Sequence, residues 1–454
     1  MKTPKTESSS HFFDEEASRY VLVSANENDV KFVRLWFTDI LGTVKGFAIT
    51  VDELEEVLKN GASFDGSVIK GLVRSDESDM VAMPDSSSWQ MLPWRPKENS
   101  VGRLFCDILT PDGKPYESDS REILKRNIGK CSKLGMTFYV SPEIEYYYLE
   151  SYEGNILNDR AGYFDQTSAD SIGADLRRQT VLALESMGIP VKHSHHEVGQ
   201  AQHEIDLRHT NALTMADSII TFRVIAKEIA AQSGYAASFM PRPYGNHHGS
   251  GMHTHLSLFD GDKNVFFDPK NPLLLSTIGR QFLAGLIKHT PELCAITNQW
   301  VNSYKRLVPG LEAPVFASWT IGDMGGLIRV PSYRPSRESS VRIEYRLPDS
   351  ATNPYLTFAA ILSAGLKGIS EEYKLAEPVT QNLYTMSETE RNEHGIKHLP
   401  RTLKEAIELA ENSELLHDAL GTEIIENFIQ NKKLEWEEFC QTVTDYERKK
   451  YLSL

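Results

Sequence analysis

Two imidazoles and a set of glutamates stand at spacings that would place them on one face of a sheet. The segment Gly249-Ser250-Gly251-Met252-His253-Thr254-His255-Leu256-Ser257-Leu258 opens with two glycines, which let a backbone turn tightly and approach a ligand. It continues as an alternation, with His253, His255 and Ser257 on one side and Thr254, Leu256 and Leu258 on the other. A period of two predicts a strand. Glu143 and Glu145 in SPEIEYYYLE, Glu197 and Glu204 in HHEVGQAQHE, and Glu344 in VRIEYRLPD repeat the habit, with a turn expected at Gly199. Strand interiors disfavour unpaired carboxylates, so four such segments imply one common site. Taken singly, each glutamate is better explained as a surface residue with a local lysine; taken together, they are not.

Those five carboxylates and His253 form a hard, oxygen-rich set with one nitrogen ligand. Such a set suits Mg²⁺ or Mn²⁺ better than Zn²⁺. Without a cation the converging carboxylates would repel strongly. Arg306, Arg329, Arg342 and Arg346 cluster in the C-terminal half, and guanidinium forks recognise carboxylate and phosphate. Metal plus arginines is the equipment of phosphoryl transfer, which is mostly positioning and charge neutralisation. The chain has no GxxxxGK[ST] loop and no kinase signature, so a nucleotide must be held another way.

Elements must bring these residues together. Asp29–Phe37 and Thr43–Ile49 read as a hairpin around Asp39–Gly42, Val51–Lys59 as a short helix, and 101–110 as another alternating strand. Helices are expected over Ser118–Leu134, Ala169–Met187, Asn211–Ser233, Leu274–His289 and Pro354–Gly368, with a helical series over Thr402–Tyr451. Residues 1–16 read as a disordered tail, 17–116 as a small N-terminal domain and 117–454 as a catalytic domain. A chain of 454 residues suits two domains. The net charge of −15 argues against a nucleic-acid backbone as partner. No apolar run approaches the roughly 20 residues that span a bilayer. Scattered cysteines without a CxxC pair point to a reducing, cytoplasmic compartment.

The motifs FDGS at 64–67, ESDM at 77–80, SPEIEYY, SHHEVGQAQHEID, GSGMHTHLSLF, NSYKRLVPGLEAP and RIEYRLPDSATNPYL make the chain resemble the type I glutamine synthetases from about residue 28 to its end. FVRLWFTDILG, AGYFDQ, HHGSGMHTHLSLFDGD and the terminal YLSL resemble the branch that includes γ-glutamylpolyamine synthetase. The resemblance implies an α+β chain: a small β-grasp domain, then a catalytic domain with a curved antiparallel sheet flanked by helices. It implies a dodecamer of two hexameric rings with active sites shared between neighbours. One metal would be held by Glu145, Glu197 and Glu204, the other by Glu143, His253 and Glu344. Arg306 and Arg346 would bind glutamate, with the Gly249 backbone close by. His255, Ser257, Arg329 and Arg342 would serve ATP. Glu312 would close the site as a flap residue. Asp65, from a neighbouring copy, would deprotonate the incoming amine beside Tyr163.

Three departures bear on the acceptor. Val68 replaces a hydroxyl of the ammonium pocket with an apolar wall, which tolerates an alkyl amine better than a compact cation. His248 stands where an asparagine is usual, and Met324 where an arginine normally meets phosphate. These tilt the expected acceptor toward an organic amine or polyamine. A true glutamine synthetase using ammonia is the alternative, and a catalytically weak regulatory relative is a third. Arg74 matches a feedback-control arginine of the family. Tyr384 matches a tyrosine that is adenylylated in other members, although its surroundings read as an unmodified type.

Overall fold

The computed structural model describes residues 14–71, 78–166, 171–271, 273–310, 313–321, 325–331 and 337–454. Its first element, α1 (Glu15–Glu27), starts just inside the stretch expected as a tail. Asp14 caps it by accepting from the Ala17 amide, two glutamates occupy its first turn, and it buries Val21 and Ala25. Its buried stripe is only Ser18, Val21 and Ala25, too sparse to mark a helix in the sequence.

A six-stranded sheet follows: β1 (Val30–Thr38), β2 (Val44–Thr50), β3 (Ala62–Asp65), β4 (Asp79–Pro84), β5 (Gln90–Met91) and β6 (Ser100–Leu109), with α2 (Leu54–Asn60) between β2 and β3. The order is β2-β1-β6-β4-β3, with β5 on β6. β1 and β6 are parallel, with Leu35 opposite Leu104, and the remaining pairs are antiparallel. Val33, Leu35, Leu54, Leu58, Ala82, Leu104 and Ile108 form its core. This is the expected β-grasp layer.

The second unit runs α3 (Ser120–Ser132), β7 (Thr137–Leu149), α4 (Ile172–Ser186), β8 (Val191–His196), β9 (Gln202–Leu207), β10 (Thr210–Asn211), α5 (Ala212–Gln232), β11 (Ala236–Ser238), β12 (Met252–Asp260), β13 (Lys263–Asn264), α6 (Thr277–Thr297), α7 (Ser303–Arg306), β14 (Phe316–Ala317), β15 (Trp319–Ile321), β16 (Ile328–Val330), β17 (Ile343–Tyr345) and α8 (Pro354–Ser370). The charged helices α10 to α13 fill 403–451, after the short α9 (Glu388–Glu393) and β18 (Lys397–His398). The large sheet has the order β15-β16-β17-β12-β7-β9-β8, antiparallel except between β15 and β16.

Alternation decides what each face of this sheet does. Val140, Ile144, Ile205, Leu207, Leu256 and Leu258 are buried in one core with residues of α5, α6 and α8. The residues between them on β7, β9 and β12 are polar. α8 begins as its sequence directs, with Pro354 at its first turn and Asn353 accepting from the Tyr355 and Leu356 amides. It lies so close to α6 that a Cβ on Gly365 would meet the Phe282 ring at 2.1 Å. α6 runs past the expected stop at His289 and through Pro291, with Leu293, Cys294 and Ile296 fully buried beyond it. That burial outweighs the roughly 3 kcal/mol a helical proline costs.

One buried cation joins the two units. The Arg121 guanidinium on α3 donates to Asp107 and Asp85 of the N-terminal layer at 2.6 Å each, and to Asp217 of α5 at 3.0 Å. Removing one partner of such a pair leaves uncompensated buried charge. Arg121→Met is therefore expected to cost about 3–5 kcal/mol, read by denaturant or thermal unfolding. A variant as stable as the parent would show that this network is not what holds the layers together.

Candidate active site

The register of the large sheet lines the polar residues up across it. Arg329 on β16 stands opposite Glu344 on β17, and Glu344 opposite His255 on β12. His253 stands opposite Glu143 on β7, Glu143 opposite Asp206 on β9, Glu145 opposite Glu204, and Glu204 opposite His195 on β8. Side chains at these pairings share one face. Residues far apart in the chain thus become one acidic band.

Two groups of ligand-bearing atoms lie within 4.8 Å of one another: Glu143, His253 and Glu344, and His195, Glu197 and Glu204. Glu145 lies between them. Its Oε2 accepts from the Gly251 amide at 3.0 Å and from Gln202 Nε2 at 3.1 Å, and its Oε1 is 3.9 Å from His253 Nε2. Burial, followed by the charges of Asp206, Glu145, Glu197 and Glu143, pushes the Glu204 carboxyl well above its usual range. A hard divalent cation fits this set: carboxylate oxygens dominate it, and their unrelieved repulsion is visible at Glu204.

Cations frame the other end of the band. Arg329 Nε donates to Glu344 Oε2 at 2.6 Å, and Arg346 Nε lies 3.3 Å from Glu344 Oε1. Arg342 Nε donates to His255 Nδ1 at 3.0 Å, so the His255 proton sits on Nε2 and is given to Glu143 Oε1 at 2.6 Å. Burial works against the Glu143 carboxylate, but His255 and His253 beside it hold it well below the ordinary range. Arg306 on α7 is buried, and its two terminal nitrogens donate to the carbonyls of Leu347 and Arg346. The glycines of GSG serve that arginine first. A Cβ on Gly249 would meet Arg306 Cγ at 2.6 Å, and one on Gly251 would meet Arg306 Nη2 at 2.5 Å. Glu145, Glu197, Gln202, His248, Gly249, His253 and Arg306 line a narrow crevice of about 20 Å³.

A third group, Asp159, His196 and His203, lies behind the band and is completely buried. Arg177 donates to His203 Nδ1 at 2.6 Å, which fixes the His203 proton on Nε2, facing Asp159 Oδ2 at 3.5 Å. That nitrogen offers no lone pair to a metal, and Asp159 is engaged instead by Ser171 Oγ at 2.7 Å and the Ala161 amide at 3.0 Å. The group stands directly behind Glu197 and Glu204.

Comparison with known proteins agrees with this geometry. The family model for the glutamine synthetase β-grasp domain matches residues 29–111, and that for the glutamine synthetase catalytic domain matches 117–451. Proteins named glutamine synthetase from Mycolicibacterium smegmatis and Mycobacterium tuberculosis are 49% and 48% identical over 441 residues, covering 96% of this chain and 99% of each relative. The chain belongs to the glutamine synthetase family. A solved GmaS–ADP complex superposes with a TM-score of 0.86 at 29% identity, and covers 96% of this chain and 99% of its own. Apo GmaS gives 0.85 at 30%, over 95% and 99%. As a family member at this level of identity, the chain is a glutamate–amine or glutamate–ammonia ligase.

Most of the residues singled out for this family site come together. Glu143, Glu145, Glu197, Glu204, His253, His255, Glu344, Arg306, Arg329, Arg342, Arg346 and Gly249 share the band or its rim. Ser257 continues the band opposite Tyr139. Asp65 and Val68 stand instead in the N-terminal layer. Asp65 Oδ1 accepts from the Ser67 and Ser78 amides, and Val68 is exposed. Tyr163 is exposed, beside Phe164, which stacks on His195 with ring centres 4.1 Å apart. Glu312, Arg74 and Met324 lie outside the described residues. Tyr384 donates its hydroxyl proton to the Ala313 carbonyl at 3.1 Å. Among the described residues, no helix is long and apolar enough to cross a membrane, and all four cysteines are unpaired.

Sequence reading missed His195, Gln202 and Asp206. The signal was available, because 202, 204 and 206 alternate as 143 and 145 do. It also missed an aromatic group at the far end of the band, where Tyr139 sits 6.0 Å from the His209 ring and 5.1 Å from Phe259. Replacing His253 with alanine is expected to weaken Mn²⁺ binding at least about 10–100-fold, the loss that even an outer-shell partner brings. Paramagnetic titration of free Mn²⁺ reads this directly, and unchanged affinity would remove His253 from the ligand set.

Proposed function

We propose that this chain joins the γ-carboxyl of glutamate to an amine through γ-glutamyl phosphate, converting ATP to ADP and phosphate. The observation that carries this reading is the convergence of Glu143, His253 and Glu344 beside Arg329, Arg342 and Arg346. A phosphoryl group in flight needs such an arrangement of metal ligands next to guanidinium groups. Mg²⁺ or Mn²⁺, two or more per subunit, would supply charge neutralisation of the phosphate oxygens. Glu145, Glu197 and Glu204, with His195, would hold one ion; Glu143, His253 and Glu344 would hold another.

Glutamate would be gripped by Arg306 and Arg346. Arg346 suits this role because its Nη1 is buried without a hydrogen bond among the described residues, while its Nε is ion-paired with Glu344. The glutamate substrate's γ-carboxylate oxygen forms a bond to the terminal phosphorus of ATP as the bond to ADP breaks. The amine nitrogen then bonds to the acyl carbon, gives a proton to a carboxylate, and phosphate leaves. Asp65 is the base in this reading. It belongs to the N-terminal layer and to neither ligand group, which supports donation from a neighbouring copy in a ring assembly, here taken as a dodecamer in the cytoplasm. Arg342, Arg329, His255 and Ser257 would face the nucleotide, with Tyr139, His209 and Phe259 as a platform for its base. Glu312 would close over the acyl phosphate and exclude water.

The acceptor favoured here is an organic amine or polyamine. Val68 presents an exposed apolar side chain near Asp65, and Tyr163 and Phe164 present exposed rings beside His195. Such walls contact an alkyl portion and stack on a cation. Ammonia is the second reading, favoured by the relatives named glutamine synthetase at 48–49% identity along nearly their whole length.

Phosphate release with Mg²⁺, ATP and glutamate, adding ammonium, methylamine, ethanolamine, putrescine or spermine in turn, separates the two. Turnover with organic amines and little with ammonium is the expected result, with product masses confirming each amide. Ammonium as sole acceptor would sink the amine reading, and no turnover with any acceptor would sink the ligase proposal. Val68→Ser is expected to shift the kcat/KM ratio about tenfold toward ammonium, the order of effect of one apolar group in a pocket. Separately, Glu344→Ala should abolish glutamate-dependent ATP turnover; survival of that turnover would displace the site.

A further inference from the structure

We propose that the cleft between the N-terminal hairpin and α5 binds a small organic dianion, carrying carboxylate or phosphate groups, at a site separate from the acidic band. The cleft encloses about 520 Å³. The loop Leu41–Val44 between β1 and β2 forms one wall, Phe239 and Trp300 form apolar walls, and α5 supplies Arg223 and Lys227. These two cations are four residues apart, so they point from one side of the helix.

Arg223 is incompletely paired. Its Nε and Nη2 are shut off from water and make no hydrogen bond among the described residues. The side chain as a whole is only partly buried, so it is the open edge of the guanidinium lining the cleft that an anion would meet. The carboxylate that acts most on it, Asp349, is already held by Ser303 Oγ at 2.6 Å and the Ala351 amide at 3.0 Å. Glu228, the acid on the lining, lies 3.8 Å from Arg95. Lys227 adds a second positive charge, 5.9 Å from the Phe239 ring. Burial pushes the Arg223 guanidinium down to about 10, and burial together with Arg223 lowers Lys227. Two cations one helical turn apart beside aromatic walls suit two negative charges on a small carbon frame. The cleft also borders the catalytic segment, because the Trp300 amide donates to Ser303 Oγ in the turn that opens α7 and carries Arg306.

Calorimetric titration of the full-length protein, saturated with Mg²⁺, ADP and glutamate so that both the nucleotide and the amino-acid parts of the active site are occupied, tests this with malonate and with inorganic phosphate at matched ionic strength. Malonate is expected to bind. Arg223→Met and Lys227→Met are each expected to weaken it about tenfold or more, as loss of a charge-assisted hydrogen bond does, with ADP affinity unchanged. No malonate binding by the parent, or equal binding by both variants, overturns the proposal. Binding of phosphate alone overturns its organic part. Disassembly of Arg223→Met into smaller species would show that the guanidinium pairs with a neighbouring copy, which also overturns it; Lys227→Met, at an exposed position, keeps the binding test available.

Discussion

Mutual repulsion among carboxylates is the constraint on which this structure turns. Glu143, Glu145, Glu197, Glu204, Asp206 and Glu344 face one another across a few strands, in a place where an apolar surface would be more stable. Local donors hold three of them: His255 holds Glu143, the Gly251 amide and Gln202 hold Glu145, and Arg329 holds Glu344. Glu204 has His195 at 3.0 Å against four acidic neighbours, and Asp206 Oδ1 makes no hydrogen bond among the described residues. The band is therefore balanced at its arginine end and unbalanced at its β8–β9 end. A hard cation would fit at that end, where it would relieve the repulsion the fold maintains.

Holding that arrangement requires a sheet that cannot slip. A one-residue shift of β12 against β7 would turn His253 and His255 inward and Leu256 and Leu258 outward. The apolar face prevents it, since Val140, Ile144, Leu256 and Leu258 are locked against α6 and α8. Behind Glu197 and Glu204 the lock is polar instead. His196 Nδ1 donates to the Glu197 carbonyl at 2.6 Å, while His203 is held between Arg177 and Asp159. Burial pushes His203 down to about 4, which keeps it neutral in this enclosed setting. Arg121 then fixes the N-terminal layer to α5, so the loop bearing Asp65 and Val68 has a defined stance relative to the large sheet.

Much of the site was legible in the chain because strand periodicity is local. The spacing of Glu143 and Glu145, or of His253 and His255, states that two side chains share a face, whatever the strand pairs with. The same rule applied to Gln202, Glu204 and Asp206 would have found two more members. Family motifs supplied roles that periodicity cannot give, such as a base on a neighbouring copy. The helix at Glu15–Glu27 was passed over because only Val21, Ala25 and Ser18 of it are buried, too sparse a stripe to read against a charged background.

By itself, then, the sequence determined the identity of the chemistry: hard metal ligands at strand spacing, arginines for phosphate, and turn and cap residues that set element boundaries. These follow from bonds and contacts within a few residues. Only the tertiary structure decided which strands are neighbours, and so which carboxylates repel and which are relieved. It placed His195 beside Glu204, gave His255 its tautomer through Arg342, and assigned the GSG glycines to the passage of Arg306. It also set Arg223 and Lys227 side by side on the lining of one cleft. Strand order and side-chain enclosure depend on contacts hundreds of residues apart, and electrostatic energies depend on those distances and on exclusion of water, neither of which a linear spacing records.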